Sequence, residues 1–509
     1  MVFHSPRRLL ANAGSNTAAF VVYLAASFIL APIVLRSLGD ERYGAWSFVE
    51  SFVAYLTLFD LGVAAALVRF VPRCVATDDF DRLNRTYSAS LTFFSIGAVI
   101  ALIIGGVFEW TLLDQVLPSA AYAGEIRWLF RLLVLNFAIS LPMSVYPAML
   151  DGLGRFVFKS SVRSAVVFVR VPLTIYALTY EQRLIALGLV ITGCQLLEQL
   201  ILALGTWRII PQLRFHPWQV DRGTIREVAG YSGAAFVAMM AGRLSFHTDA
   251  FVIGPILGPA AITLFAVPAK LVEMARTALR QATTTLTGAF SALEAAGQHD
   301  QLRQTFVAGS RAAWFVAMPF AVGLICLGPA FLQLWIKSDY RPIFAHVLWV
   351  LAPLIALTIA QSVASRVLYG TGDLRAFAWA AIGEGVANLG FSLLFIRPFG
   401  VVGVAIGTAI PHAVFCMWVI LRVVAKLNVC PRSYMKGLNQ AVVASLLPAL
   451  VWAWAGYNGI ASWWQLLLIG IVGGCIYGSA YAVVTGAWRR LTKPIGRLAT
   501  VPLPMRRAG

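Results

Sequence analysis

The sequence predicts an all-α polytopic membrane protein of about fourteen transmembrane helices: two six-helix lobes in a parallel pseudo-twofold repeat, then two C-terminal helices. Three observations predict it. First, the chain is 59% hydrophobic and 12% charged, with a mean hydropathy of +0.78. A soluble domain carries roughly twice that charged fraction. Second, apolar stretches of about 20 residues, each able to cross a hydrocarbon core, recur throughout. The alternating segments of about ten residues that mark a membrane barrel are absent from the sequence. Third, the chain repeats itself. Leu35-Arg36-Ser37-Leu38-Gly39 and Gly254-Pro255-Ile256-Leu257-Gly258 each lead into an apolar stretch, and Leu150-Asp151-Gly152-Leu153-Gly154-Arg155 is echoed by Leu368-Tyr369-Gly370-Thr371-Gly372-Asp373. The separations are 219 residues (Gly39 to Gly258) and 218 (Gly152 to Gly370).

In chain order the expected spans are roughly 15–35, 43–68, 87–109, 128–149, 161–179 and 184–206 in the first lobe (1–207). A cytoplasmic linker, 208–227, holds Pro211, Pro217, Trp218 and Arg222. The second lobe (228–425) has spans of roughly 228–252, 260–284, 306–335, 343–365, 376–396 and 401–421, and the last two spans are about 438–457 and 463–487 within 426–509. Both lobes begin on one side, so the halves are related by an axis along the membrane normal and can rock against each other around a shared site.

Net charge is +18. In a soluble chain this would suggest nucleic acid; here the bases gather on alternate loops, as the positive-inside rule requires. One set comprises Arg7 and Arg8, Arg69 to Arg85, Arg155 and Lys159, Arg208 to Arg226, Arg303 and Arg311, Arg366 and Arg375, Arg422 to Lys436, and the tail from Arg489. The opposite loops are short and poorer in bases, with Lys337, Arg341 and Arg397 as exceptions. Both termini are therefore expected in the cytoplasm. Arg7 and Arg8 precede a full-length apolar run with no clear small-residue cleavage site, so the first span is not expected to be a cleaved signal. The six cysteines show no CxxC spacing and are expected as small buried side chains.

No P-loop, strand-linked GxGxxG, HExxH or GxSxG occurs, and the six histidines lack metal-ligand spacing. ATP-driven or metal-dependent chemistry is thus not expected, nor is an enzyme. The informative residues are charges inside spans, which cost several kcal/mol unless they serve a cavity or a partner. Span 5 carries Arg163 and Arg170, seven apart on one helical face. Span 7 carries Arg243, His247 and Asp249; span 8 carries Lys270, Glu273, Arg276 and Arg280. Further acids are Glu50 and Asp60 in span 2, Glu198 in span 6 and Glu384 in span 11. Each has a structural reading too. Arg163, Arg276 and Arg280 can snorkel to headgroups, Asp60 can cap a helix end or pair with Arg69, Asp249 can neutralise Arg243, and Glu273 can pair with Lys270 or Arg276. Arg170, Arg243 and Lys270 lie too deep to snorkel cheaply and are expected to face water. A cavity lined by Arg and Lys favours an anion, and Arg grips phosphate through a fork of donors. The substrate class so indicated is a phosphate, a diphosphate or an acidic sugar.

Asn16, Pro32, Leu38-Gly39, Tyr43-Gly44-Ala45-Trp46, Phe59-Asp60-Leu61-Gly62 and Ala66-Leu67-Val68-Arg69-Phe70 occur in that order. Thr248-Asp249, Ile253-Gly254 and Leu257-Gly258 follow, then Asn388-Leu389-Gly390 and Phe399-Gly400-Val401-Val402-Gly403-Val404-Ala405-Ile406-Gly407-Thr408-Ala409. In these residues the chain resembles the bacterial polysaccharide exporters. These are the Wzx-type flippases for undecaprenyl-diphosphate-linked oligosaccharides, in the superfamily that also holds the multidrug extrusion (MATE) proteins and the lipid II flippases. The chain departs from the pattern at Ala261-Ile262-Thr263-Leu264-Phe265, where the family often has Gly-x-Tyr.

The resemblance implies a MATE-like two-lobed bundle that opens alternately to either side. It implies a lipid-linked oligosaccharide whose polyprenyl chain stays in membrane lipid, for exopolysaccharide, O-antigen or capsule synthesis. It also implies turnover driven by an H+ or Na+ gradient or by consumption of the substrate, with no resident cofactor, and a polymerase and chain-length regulator as possible neighbours. On this reading Arg170, Arg243 and Lys270, flanked by Arg163, Arg276 and Arg280, hold the anion. Asp60, Asp249, Glu50, Glu384 and Glu273 serve ion coupling or structure. The alternatives are a drug/cation antiporter, which needs an acid-dominated cavity, and a scaffold of a glycan assembly complex, which needs no deep Arg.

Overall fold

The computed structural model describes residues 6–60, 62–117, 122–181, 183–216, 248–284, 286–373 and 375–486. These are almost wholly helical. In the N-terminal half, α1 (Pro6–Leu56) consists of two arms that meet at Gly39. It is followed by α2 (Val63–Ala76), α3 (Phe80–Thr111), a single turn α4 (Leu113–Val116), α5 (Ala123–Met143), α6 (Val145–Gly152), α7 (Phe156–Ala177) and α8 (Arg183–Ile209). The C-terminal half holds α9 (Thr248–Leu257), α10 (Pro259–Gln281), α11 (Leu286–Ala295), α12 (His299–Ile336), α13 (Pro342–Leu351), α14 (Leu354–Thr371) and α15 (Arg375–Lys426). Last come α16 (Pro431–Tyr457) and α17 (Trp463–Thr485).

Among the described residues, nine helical segments are long and apolar enough to cross a membrane. The expected spans do not map onto them one to one. α1 and α15 each run two expected spans together, broken at Gly39 and at Gly400. α7 and α10 are less apolar because of the charges they carry.

The duplication is written in the backbone. Gly39 has φ 74°, ψ 174°, and its counterpart Gly258 has φ 85°, ψ 169°. Both conformations belong to glycine. Gly154 and Gly372 share φ near +70° (68° and 73°). Gly152 abuts Val68 of α2 and Gly370 abuts Ser291 of α11, so the same close approach recurs in each half.

Several spans expected to be continuous are broken. Span 2 ends at Leu56, passes through a 3-10 turn (Thr57–Asp60) and a left-handed Gly62, and resumes as α2. Asp60 marks the break: its carboxylate accepts the Ala64 N–H at 3.4 Å near the start of α2. Span 8 runs unbroken as α10, and α11 beyond it was not expected at all. Span 4 is divided at Ser144, beside Pro142, and span 10 at Ala352-Pro353. The start of the linker is pinned to α3: the Asn84 amide donates to the Gln212 carbonyl and accepts the Arg214 N–H, and the His216 N–H bonds Ser88. Its remainder, the first part of span 7 and the C-terminal tail lie outside the described residues. The cysteine expectation holds for Cys74, Cys194 and Cys416; Cys430 and Cys475 are exposed instead.

The two arms of α15 form a hairpin packed at backbone distance. A Cβ on Gly403 would stand 2.0 Å from the Phe395 carbonyl oxygen, and one on Gly407 would stand 2.5 Å from the Ser392 nitrogen. Small residues let helix backbones approach like this. Gly407→Val is therefore expected to separate the arms and to sharply reduce the yield of monodisperse protein in detergent chromatography, with Gly390→Ala, which meets no neighbour within 4 Å, as the unaffected control.

The halves meet at the Gly39/Gly258 end. A Cβ on Gly44 would lie 1.7 Å from the carbonyl oxygen of Pro259, so α1 and α10 touch backbone to backbone. Thr263 donates to the Asp40 carbonyl at 2.5 Å, and Trp335 donates to the Phe28 carbonyl at 2.9 Å. Phe251 packs against Phe48, Phe52, Tyr55 and Phe108 of the other half. Arg36–Asp339 (3.5 Å) and Arg341–Asp40 (3.3 Å) span the same junction. Arg341, an exception to the loop-charge rule, thus has a local partner. These two are the ion pairs seen between the halves among the described residues.

Candidate substrate cavity

A cavity of about 910 Å³ lies mostly within the C-terminal half, walled on one side by Tyr43, Ser47, Glu50 and Ser51 of α1. It extends from Tyr43, just beyond the Gly39 break, to Arg366 and Tyr369, just before Gly370. Three features define its chemistry. Hydroxyl and amide groups are dense, with Ser47, Ser51, Thr287, Thr358, Gln361, Ser362, Ser365 and Thr408. Aromatic faces come from Tyr43, Tyr369, Phe265, Phe377 and Phe415. Cations enter from α10 (Lys270, Arg276, Arg280) and from α14 (Arg366). A side chamber of about 120 Å³ adjoins it, lined by Tyr23, Ser27, Arg170 and Thr174. Tyr43, Glu50 and Lys270 line both spaces.

The expected site residues separate into groups. Arg170 of α7 and Lys270 of α10 converge on the side chamber, one from each half, with Glu50 of α1 as the shared acid. The Arg170 Nε is buried with no hydrogen-bond partner. Lys270, Glu273 and Arg280 do share one face of α10, since all three line the main cavity. Arg276 does not snorkel: it is 8% exposed, lines the cavity and is ion-paired with Glu273. Arg163, its neighbour on α7 notwithstanding, stands 3.9 Å from Glu198 of α8 with an exposed side chain and lines neither space. Seven residues is nearly two turns, so Arg163 and Arg170 share a face, but the packed neighbours differ along it. Asp60 also lies off both linings, at the helix break. Arg243 and His247 lie outside the described residues, so any pairing of Asp249 with Arg243 does too.

The remaining acids are held by polar partners in the C-terminal half. Asp249 is buried and accepts the Thr408 hydroxyl at 2.7 Å. Glu384 is buried, 2.6 Å from His412 Nδ1; the other ring nitrogen lies 2.8 Å from the Thr358 hydroxyl. His412 and Arg366 are site residues that sequence reasoning missed. Arg366 was assigned to a loop, but it lies on α14 and faces the cavity. His412 was set aside for lack of metal spacing; the signal available was an ionisable ring inside an apolar span. Among the described residues no group of His, Cys, Asp and Glu could hold a metal.

A polar cavity walled by both helical units, closed at the Gly39/Gly258 end and lined by charges of both signs, gives this chain the fold of an alternating-access membrane transporter. The model for a family described as "Polysaccharide biosynthesis protein" matches residues 33–345, and the chain belongs to that family. A putative O-antigen transporter of Shigella flexneri is 17% identical over 241 residues, 47% of this chain and 56% of that protein. The chain thus matches little more than half the length of that curated relative. Among solved structures, the lipid II flippase MurJ in an inward closed conformation superposes with a TM-score of 0.70 at 13% identity, covering 93% of this chain and 98% of that one. An inward-facing multidrug MATE transporter of the MOP superfamily gives 0.63 at 14% identity, covering 84% and 96%. The MATE-like fold expected from the sequence is therefore present.

Proposed function

We propose that this protein flips undecaprenyl-diphosphate-linked oligosaccharide repeat units across the bacterial inner membrane by alternating access. The observation that carries the reading is the joined pair of spaces: a hydroxyl- and amide-rich cavity that continues, past Lys270, into a chamber lined by Arg170, whose Nε has no hydrogen-bond partner. The first suits a sugar chain, the second a diphosphate. The polyprenyl tail stays in lipid. Residues 1–207 and 228–425 are the rocking lobes, 208–227 joins them, and both termini are cytoplasmic. On this reading the Gly39/Gly258 end faces the periplasm. Asp249, Glu384 and Glu50 are the candidates for coupling an H+ or Na+ gradient. A polymerase and chain-length regulator act on the delivered unit.

A family match to polysaccharide biosynthesis and the MurJ-like fold support this reading. The cation-antiporter alternative is disfavoured because Asp249, Glu384 and Glu273 are each engaged by a neighbour. Deleting the gene is expected to abolish the polysaccharide and to accumulate its lipid-linked repeat unit, quantified in lipid extracts, with both restored by the wild-type chain. Unchanged export, or resistance to cationic dyes as the sole consequence of overexpression, would sink the proposal.

A further inference from the structure

We infer that Arg280 and Arg366, with Tyr369, form a second anion subsite that binds a carboxylate or phosphate substituent on the sugar chain, so that the carried glycan is itself acidic. This rests on the lipid-linked reading above and names its substrate class.

Most other charges lining the two spaces have a counterpart within the protein. Arg276 has Glu273, Glu384 has His412, and Asp249 has Thr408. Lys270 and Arg170 share the side chamber with Glu50. Arg280 and Arg366 have none: among the described residues no carboxylate lies within ion-pairing distance of either. The Arg366 Nε is buried without a hydrogen-bond partner, and its guanidinium stands 6.0 Å from the Tyr369 ring, a neutral face. Two like charges on one wall with no anion between them repel, and the low-dielectric surroundings sharpen that repulsion. A bound anion removes it.

That anion is not the diphosphate already placed at Lys270. Lys270 and Arg280 are ten residues apart on α10, about 15 Å along the axis. Side chains on a helix lean together towards its N-terminus, which keeps the two cationic heads apart, so a diphosphate held between Lys270 and Arg170 leaves Arg280 without an anion. The ligand must therefore carry two separated anionic groups. Around the second lie neutral polar groups: Ser362, one turn before Arg366 on the same α14 face, with Gln361 beside it, and Thr287 beyond α10. A charged sugar flanked by neutral hydroxyls fits that lining.

The test uses the full chain, purified in detergent at physiological ionic strength, with three probes: trigalacturonate, neutral maltotriose and farnesyl diphosphate. Trigalacturonate is expected to bind more tightly than maltotriose. Arg280→Gln and Arg366→Gln should each weaken it at least about tenfold while leaving farnesyl diphosphate unchanged, which also shows that the variants are folded. Arg170→Gln with Lys270→Gln should do the reverse. Equal binding of maltotriose and trigalacturonate would overturn the subsite. So would an equal loss of farnesyl diphosphate in the Arg280 and Arg366 variants, because the pair would then belong to the diphosphate. If trigalacturonate depends on the pair while farnesyl diphosphate ignores Arg170 and Lys270, the subsite stands and the lipid-linked reading falls.

Discussion

Gly44→Val is expected to abolish transport by preventing the halves from closing at the Gly39/Gly258 end. The valine Cβ would lie 1.7 Å from the Pro259 carbonyl oxygen, a backbone atom that no rotamer change can remove. Overpacking typically costs about 1–3 kcal/mol, and a collision with backbone sits at the top of that range or beyond. Each 1.4 kcal/mol shifts the closed population about tenfold, so closure should fall by roughly one to two orders of magnitude. The ion pairs cannot compensate. Arg36–Asp339 and Arg341–Asp40 are partly exposed, and such pairs contribute about 0–1 kcal/mol each. The measurement is cross-linking of Asp40→Cys to Arg341→Cys by a short bismaleimide, in a background with all six native cysteines replaced by serine. The parent should cross-link quickly and the Gly44→Val version slowly, with both eluting as folded protein. Equal rates would mean that this contact does not control closure.

The duplication was legible because it is carried by glycines that the backbone cannot do without. Gly39, Gly258, Gly154 and Gly372 all have positive φ, so each position is fixed in residue type and a repeat of type becomes a repeat of shape. The breaks inside spans were not legible. Thr57, Leu58 and Phe59 continue the apolar run while the helix tightens and stops, and hydropathy does not register hydrogen-bond geometry. Asp60 was the local sign: of its two readings, helix cap and ion-coupling acid, the structure gives it the helix start.

Depth was the harder quantity at the site. Arg163 and Arg276 look alike in sequence, each basic on an apolar helix. The first meets Glu198 at an exposed surface and the second is buried beside Glu273; only the packing of neighbouring helices separates them. The Glu384–His412 contact joins residues 28 apart. The Gly400 turn and the small Gly403 and Gly407 that fold one arm onto the other were visible in the sequence, but pairing the arms requires their register. Arg366 was misassigned for a related reason: α14 extends to Thr371, past the expected end of span 10, and carries it into the cavity.

The combined replacement Arg170→Gln, Lys270→Gln is expected to lower repeat-unit export by about 100-fold or more, with each single change intermediate. Charge-assisted hydrogen bonds to phosphate are roughly twice as strong as neutral ones, and two of them removed from a buried site account for a loss of that order. The two cations come from opposite halves, α7 and α10, so an anion held between them ties the halves together at the level of the side chamber. Glu50 lines the same chamber and would compete with that anion. Glu50→Gln should therefore tighten binding of farnesyl diphosphate while the double variant loses it. Arg163→Gln supplies the control, since an exposed pair with Glu198 at 3.9 Å contributes little and touches neither space. Export is measured by complementing the deletion strain, at protein levels matched by immunoblot. Full complementation by the double variant would remove the chamber from the transport path; equal damage from Arg163→Gln would show that the loss follows total charge on α7 rather than the geometry of the chamber.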